Sequence, residues 1–530
     1  MKARSLILAV VMVVVAGGAA IGAMTLLSNA TDDAVEHVPA DAVFYANVFL
    51  DPSAEQKMAI ESLLKKFPDG GTPEEAGDQI AKWFDEAMKE GGLTFEEDVE
   101  PWLGKQIAIY VGKPATPGGE EEQELAALVA TEDEGATLAA LEKASRSEGV
   151  EPKDATYKEV DYQTFIPTDA PTEQEVAVGV TDGFLVVGSE LAFKGVVDSS
   201  GENTLAEADV YKEAVAKLSP DRVALFFYNL DQVGEALESA PGAPGAAETK
   251  ELLDLTKGQS AAGAVYARET GMVIETSQSI SEGEGFASAF QKLSDVDLVP
   301  ELSSDVWGAI AIGSFGDYIE LALDSFTSAM AGTAGADAGA VEQQFQAATG
   351  LDLKEDLLSW IGDTAFFVQG ADLPSVGGGV LIESESPAKS AAALKTLAKR
   401  VGAEGIPVKR VSGGYQVAIP GGPPINVVAA GKNVVIAYGD AAAEGATGSG
   451  PRLAEGETFT RATDALGQGY SVVFYADLNA AITFFEQLAP SLPETYTAEV
   501  KPNLDPLDFL VGGQRKDGDI LLTRLVIGVE

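Results

Sequence analysis

The sequence predicts an α+β fold made of two tandem homologous units, each a mostly antiparallel, hairpin-rich sheet covered by short helices, behind an N-terminal membrane segment. Three observations carry this reading. A stretch from Gly92 to Gly112 returns in altered form from Gly350 to Gly370. Short apolar runs flank turn dipeptides such as Asp182-Gly183 and Asp517-Gly518, which favour the tight turns of antiparallel hairpins. Segments with apolar groups at helical spacing lie between those runs.

Copy one of the repeated stretch reads Gly92-Leu93-Thr94-Phe95-Glu96-Glu97-Asp98-Val99-Glu100-Pro101-Trp102-Leu103-Gly104, and copy two Gly350-Leu351-Asp352-Leu353-Lys354-Glu355-Asp356-Leu357-Leu358-Ser359-Trp360-Ile361-Gly362. Each places a capping residue (Thr94, Asp352) three positions before a glutamate (Glu97, Glu355), the pattern of a reciprocal cap at a helix start. Apolar groups follow at helical spacing, and a glycine stands where a helix would stop. A short helix thus delivers one tryptophan to a core and hands the chain to a strand. Pro101 removes a helical donor in copy one and predicts a kinked turn there.

Composition bounds the rest. A chain of 530 residues has room for two or three domains. Its 35 basic and 83 acidic residues give a net charge of −48, which repels phosphate backbones and argues against nucleic acid as a partner. Cysteine is absent, which excludes disulfides, thiolate metal sites, cysteine nucleophiles and a lipid-modified cysteine. So acidic a surface fits a salty habitat or an exposed envelope setting.

Lys2 and Arg4 precede an uncharged run from Leu6 to Leu27, which at a helical rise of ~1.5 Å per residue spans about one bilayer core. Acidic Asp32, Asp33 and Glu36 follow it. The positive-inside rule leaves the N-terminus in the cytoplasm and the body outside. The reading is a single-pass anchor in residues 1–30; the alternative is a signal peptide cleaved near Ser28-Asn29-Ala30, with a secreted body.

After a short polar stalk, Asp41 to Leu50 reads as a strand bounded by Pro39 and Pro52. A helix opens at Asp51 or Ser53 with Ile60, Leu63, Leu64 and Phe67 on one face. Another opens at Thr72-Pro73-Glu74-Glu75 and aligns Ile80, Trp83, Phe84, Ala87 and Met88. Beyond the Trp102 stretch come an acidic loop from Pro114 to Glu124, a strand from Leu125 to Ala130, a helix from Ala136 to Ala144 and a strand from Tyr157 to Phe165. Val176–Val180 and Phe184–Val187 flank the Asp182-Gly183 turn. A helix near Val210 to Leu218, a strand from Val223 to Tyr228 and a hairpin around Gly271 close the first unit, residues 31–299.

The second unit, residues 300–530, repeats this order from a boundary near Pro300. Asp305–Ile312 answers the first strand, and Ala331 to Ala340 is a low-complexity link. Val380–Ile382, the helix carrying Leu394, Leu397 and Lys399, the hairpin around Gly431-Lys432-Asn433, the strand Val472–Tyr475 and the hairpin around Asp517-Gly518 match their first-unit counterparts in sequence order.

Pro39-Ala40-Asp41-Ala42-Val43-Phe44 with its strand, the Asp51-Pro52-Ser53 helix start and the Gly92-Leu93 to Trp102-Leu103-Gly104 stretch behind an anchor resemble the bacterial domain-of-unknown-function family 3352. That resemblance implies an envelope location, and it supplies no reaction, ligand or catalytic residue.

No catalytic, cofactor-binding or metal-binding residue is assigned, and no cofactor is expected. His37, the single histidine, reads as a solvated stalk residue. Glu97 with Asp98, and Glu355 with Asp356, resemble paired carboxylates, yet adjacent helical positions face apart and negative charge suits a first turn, so capping is expected. Glu120 to Glu124 lacks the spaced oxygens and turn glycine of a calcium loop. Ser386-Pro387-Ala388-Lys389 fits a serine-x-x-lysine pattern without its partner motifs. Glycines at 377–379 and 413–422 read as turns, and Trp83, Trp102, Trp307 and Trp360 as core. The expectation is a non-catalytic, membrane-anchored extracytoplasmic protein, an interaction or scaffold module of the cell envelope with an envelope protein as partner. The alternative is a carrier or sensor of a lipid or other apolar ligand held between sheet and helices.

Overall fold

The computed structural model describes residues 31–68, 81–82, 85, 93–112, 123–148, 152–166, 175–232, 259–279, 296–331, 339–448, 450–489 and 492–530. The apolar run from Leu6 to Leu27, most of the helix expected from Thr72, and Glu120 to Glu122 lie outside them. No described helix is long and apolar enough to cross a membrane. The chain divides into two compact units, Met1–Ser279 and Ile280–Glu530.

Among the described residues the first unit pairs ten strands: β1 (Phe44–Phe49), β2 (Leu103–Val111), β3 (Leu125–Thr131), β4 (Lys153–Tyr157), β5 (Val160–Phe165), β6 (Val176–Thr181), β7 (Phe184–Ser189), β8 (Ala224–Asn229), β9 (Ser260–Arg268) and β10 (Gly271–Ser279). Their pairings run β4-β5-β6-β7-β3-β2-β1-β8-β9-β10, all antiparallel. Each strand's two side-chain faces pack separately. Tyr45, Tyr110, Leu128, Val186 and Phe227 meet α4 (Glu190–Asp198), the 3₁₀ turn Leu205–Glu207 and α5 (Asp209–Val215). Ile107, Val129, Val178, Leu185 and Val187 meet the Trp102 stretch and α3 (Glu134–Glu148). The central strands are therefore covered on both faces, which is why β6 and β7 read as continuous rather than alternating apolar runs.

α1 (Ala54–Leu64) starts as expected, its cap Ser53 accepting from the Gln56 amide at 3.2 Å. α2 (Phe95–Asp98) opens the Trp102 stretch and ends before Pro101.

The described residues of the second unit also pair ten strands: β11 (Val306–Ile312), β12 (Ile361–Gln369), β13 (Gly377–Ser384), β14 (Val408–Val411), β15 (Gly414–Val417), β16 (Ile425–Ala430), β17 (Asn433–Tyr438), β18 (Ser471–Asp477), β19 (Leu507–Asp517) and β20 (Ile520–Val529). The order is β14-β15-β16-β17-β13-β12-β11-β18-β19-β20, again all antiparallel. Its helices are α6 (Phe315–Ala331), α7 (Ala340–Thr349), α8 (Pro387–Ala403), α9 (Asp440–Ala446), α10 (Glu457–Leu466), α11 (Leu478–Leu488) and α12 (Lys501–Leu504). An isolated bridge joins Pro39 to Thr204 in the first unit and Ser303 to Arg452 in the second.

Four expectations need correction. Tyr157 to Phe165 is not one strand but the β4–β5 hairpin, turned at Lys158 and Glu159 with φ of 45° and 69°. Neither residue announces a positive φ as glycine or asparagine would. Gly377 to Gly379 form no turn; they lie in β13, where a Cβ on Gly379 would come within 2.3 Å of the Ile436 carbonyl. The glycine after each tryptophan does not end a helix. Gly104 and Gly362 sit in strands, beside a register shift, where an added Cβ would come within 2.8 Å of Ala130 or of the Glu383 carbonyl. The polar stalk is no stalk: Ala34 and Val38 are fully buried in the first core.

Candidate functional site

The Trp102 and Trp360 stretches form one device twice. Trp102 Nε1 donates to the Asp98 carbonyl at 2.5 Å, and Trp360 Nε1 to the Asp356 carbonyl at 2.9 Å. Each indole is thus pinned to its own turn while its ring fills the core. Both turns are wider than an α-helix. The Glu100 amide reaches the Phe95 carbonyl at 2.8 Å, and Leu353–Leu357 is a π turn. The extra residue moves the reciprocal cap one position along the chain. Asp98 Oδ2 accepts from the Thr94 amide at 2.8 Å and Asp356 Oδ2 from the Asp352 amide at 2.9 Å, so the capping carboxylates are Asp98 and Asp356, not Glu97 and Glu355. At the front end, Asp352 caps the Lys354 and Glu355 amides, whereas the Thr94 hydroxyl makes no capping bond. These carboxylates hold backbone, and their adjacency creates no acid/base pair.

The other sequence candidates are placed as follows. His37 is half-buried, its ring 5.2 Å from that of Phe184, so it belongs to the first core's margin rather than to solvent. Ser386 caps α8 without a side-chain bond, and Lys389 Nζ reaches Ser359 Oγ at 3.0 Å and the Glu355 carbonyl at 3.4 Å, tying α8 to the Trp360 turn. Trp307 is part-buried, packing against Phe484 at 5.4 Å and donating to the Gly370 carbonyl at 3.0 Å. Trp83 lies outside the described residues. Among the described residues no group of three or more His, Asp or Glu side chains is placed to hold a metal ion.

Sequence reasoning missed a polar cluster inside the first unit. Asp32 Oδ1 accepts from the Tyr45 hydroxyl at 2.5 Å and from Asn47 Nδ2 at 2.7 Å, and Oδ2 accepts from the Tyr211 hydroxyl at 3.2 Å. Asn47 Nδ2 also donates to Gln106 Oε1 at 2.8 Å, and Gln106 Nε2 to Asp33 at 3.2 Å. Burial pushes the Asp32 carboxyl above its ordinary range against the opposing pull of these donors. Burial, then the Asp32 charge, pushes both tyrosine hydroxyls up as well, so they act as donors throughout the usual pH range. The available signal was Asn47 itself. It shares its strand face with Tyr45 and Phe49, an inward position where an amide requires a buried partner.

An open groove of about 910 Å³ runs between α3 and strands β4, β5 and β6. Leu138, Leu141 and Val178 form its apolar part, and Glu142, Asp154 and Asp161 its rim. The rim acids are held in place: Gln163 donates to Asp154 at 3.0 Å, Thr156 to Asp161 at 2.8 Å, and Arg146 pairs with Glu142. The groove lies open between a helix and a sheet, with Arg146 lining it beside the rim carboxylates.

The pattern of the family described as a protein of unknown function, DUF3352, matches residues 6–511. The chain belongs to that family. No curated protein matches it. Two solved structures, crystal forms III and I of TP0453, are similar at 13% identity; they cover 50% of this chain and 86% and 85% of their own, each at a TM-score of 0.23.

Proposed function

We propose that this family member is a non-catalytic, membrane-anchored extracytoplasmic protein whose two homologous α+β units present an interaction surface. The observation that carries the reading is the burial of Ala34, Val35 and Val38 in the first core directly after the apolar run. From Leu27 to Asp32 the chain can span at most about 18 Å, five steps of ~3.6 Å. A body so close-coupled to a membrane segment works at the membrane surface rather than on a free stalk. The identical order of strand pairings in the two units supports a tandem duplication. Of the carboxylates that stood out in the sequence, Asp98 and Asp356 are occupied with backbone caps, which favours a structural over a catalytic use of these two.

The chain has no native cysteine, so Glu36→Cys gives a single, exposed thiol beside the predicted anchor. A membrane-impermeant maleimide should label it in intact cells, and labelling only after permeabilisation would overturn the topology. Crosslinking in the native envelope should capture a reproducible partner. The groove supports a second reading, a ligand carrier, and its charged rim turns that reading from an apolar toward a polar ligand. Native mass spectrometry of the gently released protein should then show a bound mass; repeated apo spectra would remove this alternative.

A further inference from the structure

Two arginines of the second unit meet on one aromatic ring. Arg515 on β19 and Arg524 on β20 place their guanidinium carbons 4.9 Å and 4.6 Å from the centre of the Tyr470 ring. Those distances hold the two cations within about 9.5 Å of each other, the sum of the two. In the β19–β20 ladder Arg524 lies opposite Gly513, and Arg515 follows two positions later on the same face. Gly513 leaves the room: a Cβ there would come within 3.1 Å of Tyr470 Cβ and 2.6 Å of the Leu466 side chain.

The turn after α10 closes over the pair. Arg524 Nη1 donates to the Leu466 carbonyl at 2.6 Å, using the negative end of that helix. Gly467 and Gly469 hold φ of 95° and 79° and pass so near that an added Cβ would lie 2.8 Å from Arg524 Nη1 and 3.4 Å from Arg515 Cδ. Among the described residues no carboxylate lies within ion-pair distance of Arg515, and its Nε is buried without a hydrogen-bond partner. Stacking on one ring draws two like charges together, and the ring quadrupole only partly offsets their repulsion. An oxyanion with several acceptor oxygens would relieve the repulsion and meet the unused donors of Arg515.

We propose that Arg515, Arg524 and Tyr470 form a binding site for a phosphoryl oxyanion. A guanidinium donating two hydrogen bonds sits about 4 Å from phosphorus, so one phosphate bridges the two cations when they stand no more than about 8 Å apart. Arg515 supplies the free fork of donors, Arg524 the second charge, and Tyr470 the platform that keeps both side chains in place. The phosphate is either free in solution or the headgroup of a lipid, and the site is independent of the anchor and of the groove.

The test is a ³¹P NMR and calorimetric titration of the full-length chain in non-ionic detergent, with inorganic phosphate in one arm and monomeric dibutyryl phosphatidic acid in the other. The net charge of −48 repels anions generally, so saturable binding reports a local site. Saturable binding of either probe is expected, weakened about tenfold or more in Arg515→Gln and retained in part in Arg515→Lys. Tighter binding of the phosphatidic acid assigns the site to lipid headgroups, and equal or tighter inorganic phosphate assigns it to free phosphate. No saturable binding of either probe, or unchanged binding in a folded Arg515→Gln variant, overturns the proposal. Arg515→Lys keeps the test open should the glutamine variant fail to fold.

Discussion

The two units share one order of strand pairings and fill it with different chemistry. Counting seven residues back from the bridge residues Pro39 and Ser303 gives Asp32 and Val296; counting seven forward from their partners Thr204 and Arg452 gives Tyr211 and Phe459. Tyr45 pairs with Tyr110 and Phe227, and at the same ladder position Ala309 pairs with Phe367 and Tyr475. The first unit therefore encloses a carboxylate held by two tyrosines and an asparagine, where the second places valine, alanine and phenylalanine. The aromatic geometry survives the exchange: the Tyr211 and Phe227 rings stand edge-on at 5.3 Å, those of Phe459 and Tyr475 at 5.0 Å. The same swap occurs near the hairpin tips. Glu275 of β10, opposite Ala264, accepts from the Ser219 amide, while Arg524 of β20, opposite Gly513, donates to the Leu466 carbonyl. A backbone turn after a helix offers both signs of partner, an amide and a carbonyl, and either charge can satisfy it. The pairing order depends on the hydrophobic pattern; the identity of the buried group is free to change.

The sharpest break between the units is expected at the tryptophan turns. Asp98 is buried, caps Thr94 and accepts from Lys143 Nζ at 2.6 Å and 2.7 Å, whereas Asp356 is exposed and caps alone. Asp98→Ala should cost about 2–4 kcal/mol, because it strands a cap and a lysine together, and Asp356→Ala about 0.5–1 kcal/mol. Urea unfolding followed by circular dichroism measures both, and equal costs would mean that the Lys143 contact contributes nothing. Glu97→Ala and Glu355→Ala should stay within about 0.5 kcal/mol, since neither glutamate caps.

Next in size is the conversion of the first core toward the second. Asp32→Val alone should destabilise by about 1–3 kcal/mol, leaving Tyr45, Tyr211 and Asn47 donors unmet. Adding Tyr45→Phe and Asn47→Ala should recover part of that loss, and a triple variant no more stable than the single one would refute the view that unmet donors are the cost.

The pH response carries the same contrast with its sign worked out. The Asp32 carboxyl is raised in the folded chain, so across the window between its unfolded and folded values the native state binds more protons than the unfolded one. Its contribution is greatest on the acid side and falls as pH rises through that window. In the second unit the Lys501 ammonium and the Tyr496 hydroxyl hold Glu486 below its ordinary range, and that contribution is lost as pH falls through its folded value. Melting curves from pH 3 to 7 for Asp32→Asn and Glu486→Gln should therefore differ from wild type with opposite slopes; slopes of one sign would show that one of these environments is misassigned.

The smallest effect is at a turn. The β14–β15 hairpin uses Gly413 at φ 74°, and its first-unit counterpart holds Glu159 at φ 69°. Glu159→Gly should stabilise by about 0.5 kcal/mol, measurable as a raised denaturation midpoint, by removing a strained side chain.

What the sequence by itself determined is the alternation of short strands and helices, most hairpin positions and the paired tryptophan turns. Those rest on local rules: Asp182-Gly183 turns tightly at any place in a chain, and apolar period marks a face before any partner is known. It missed the Lys158-Glu159 turn because a positive φ there is imposed by the surrounding ladder and not favoured by either residue. Tertiary structure alone decided that both faces of the central strands are covered, and that residues expected to be a stalk are core. It alone brought Asp32 to Tyr45 and Tyr211, 13 and 179 positions away. A buried carboxylate is stable only where several donors converge, and which donors converge depends on which strands and helices become neighbours. No window of sequence contains that information.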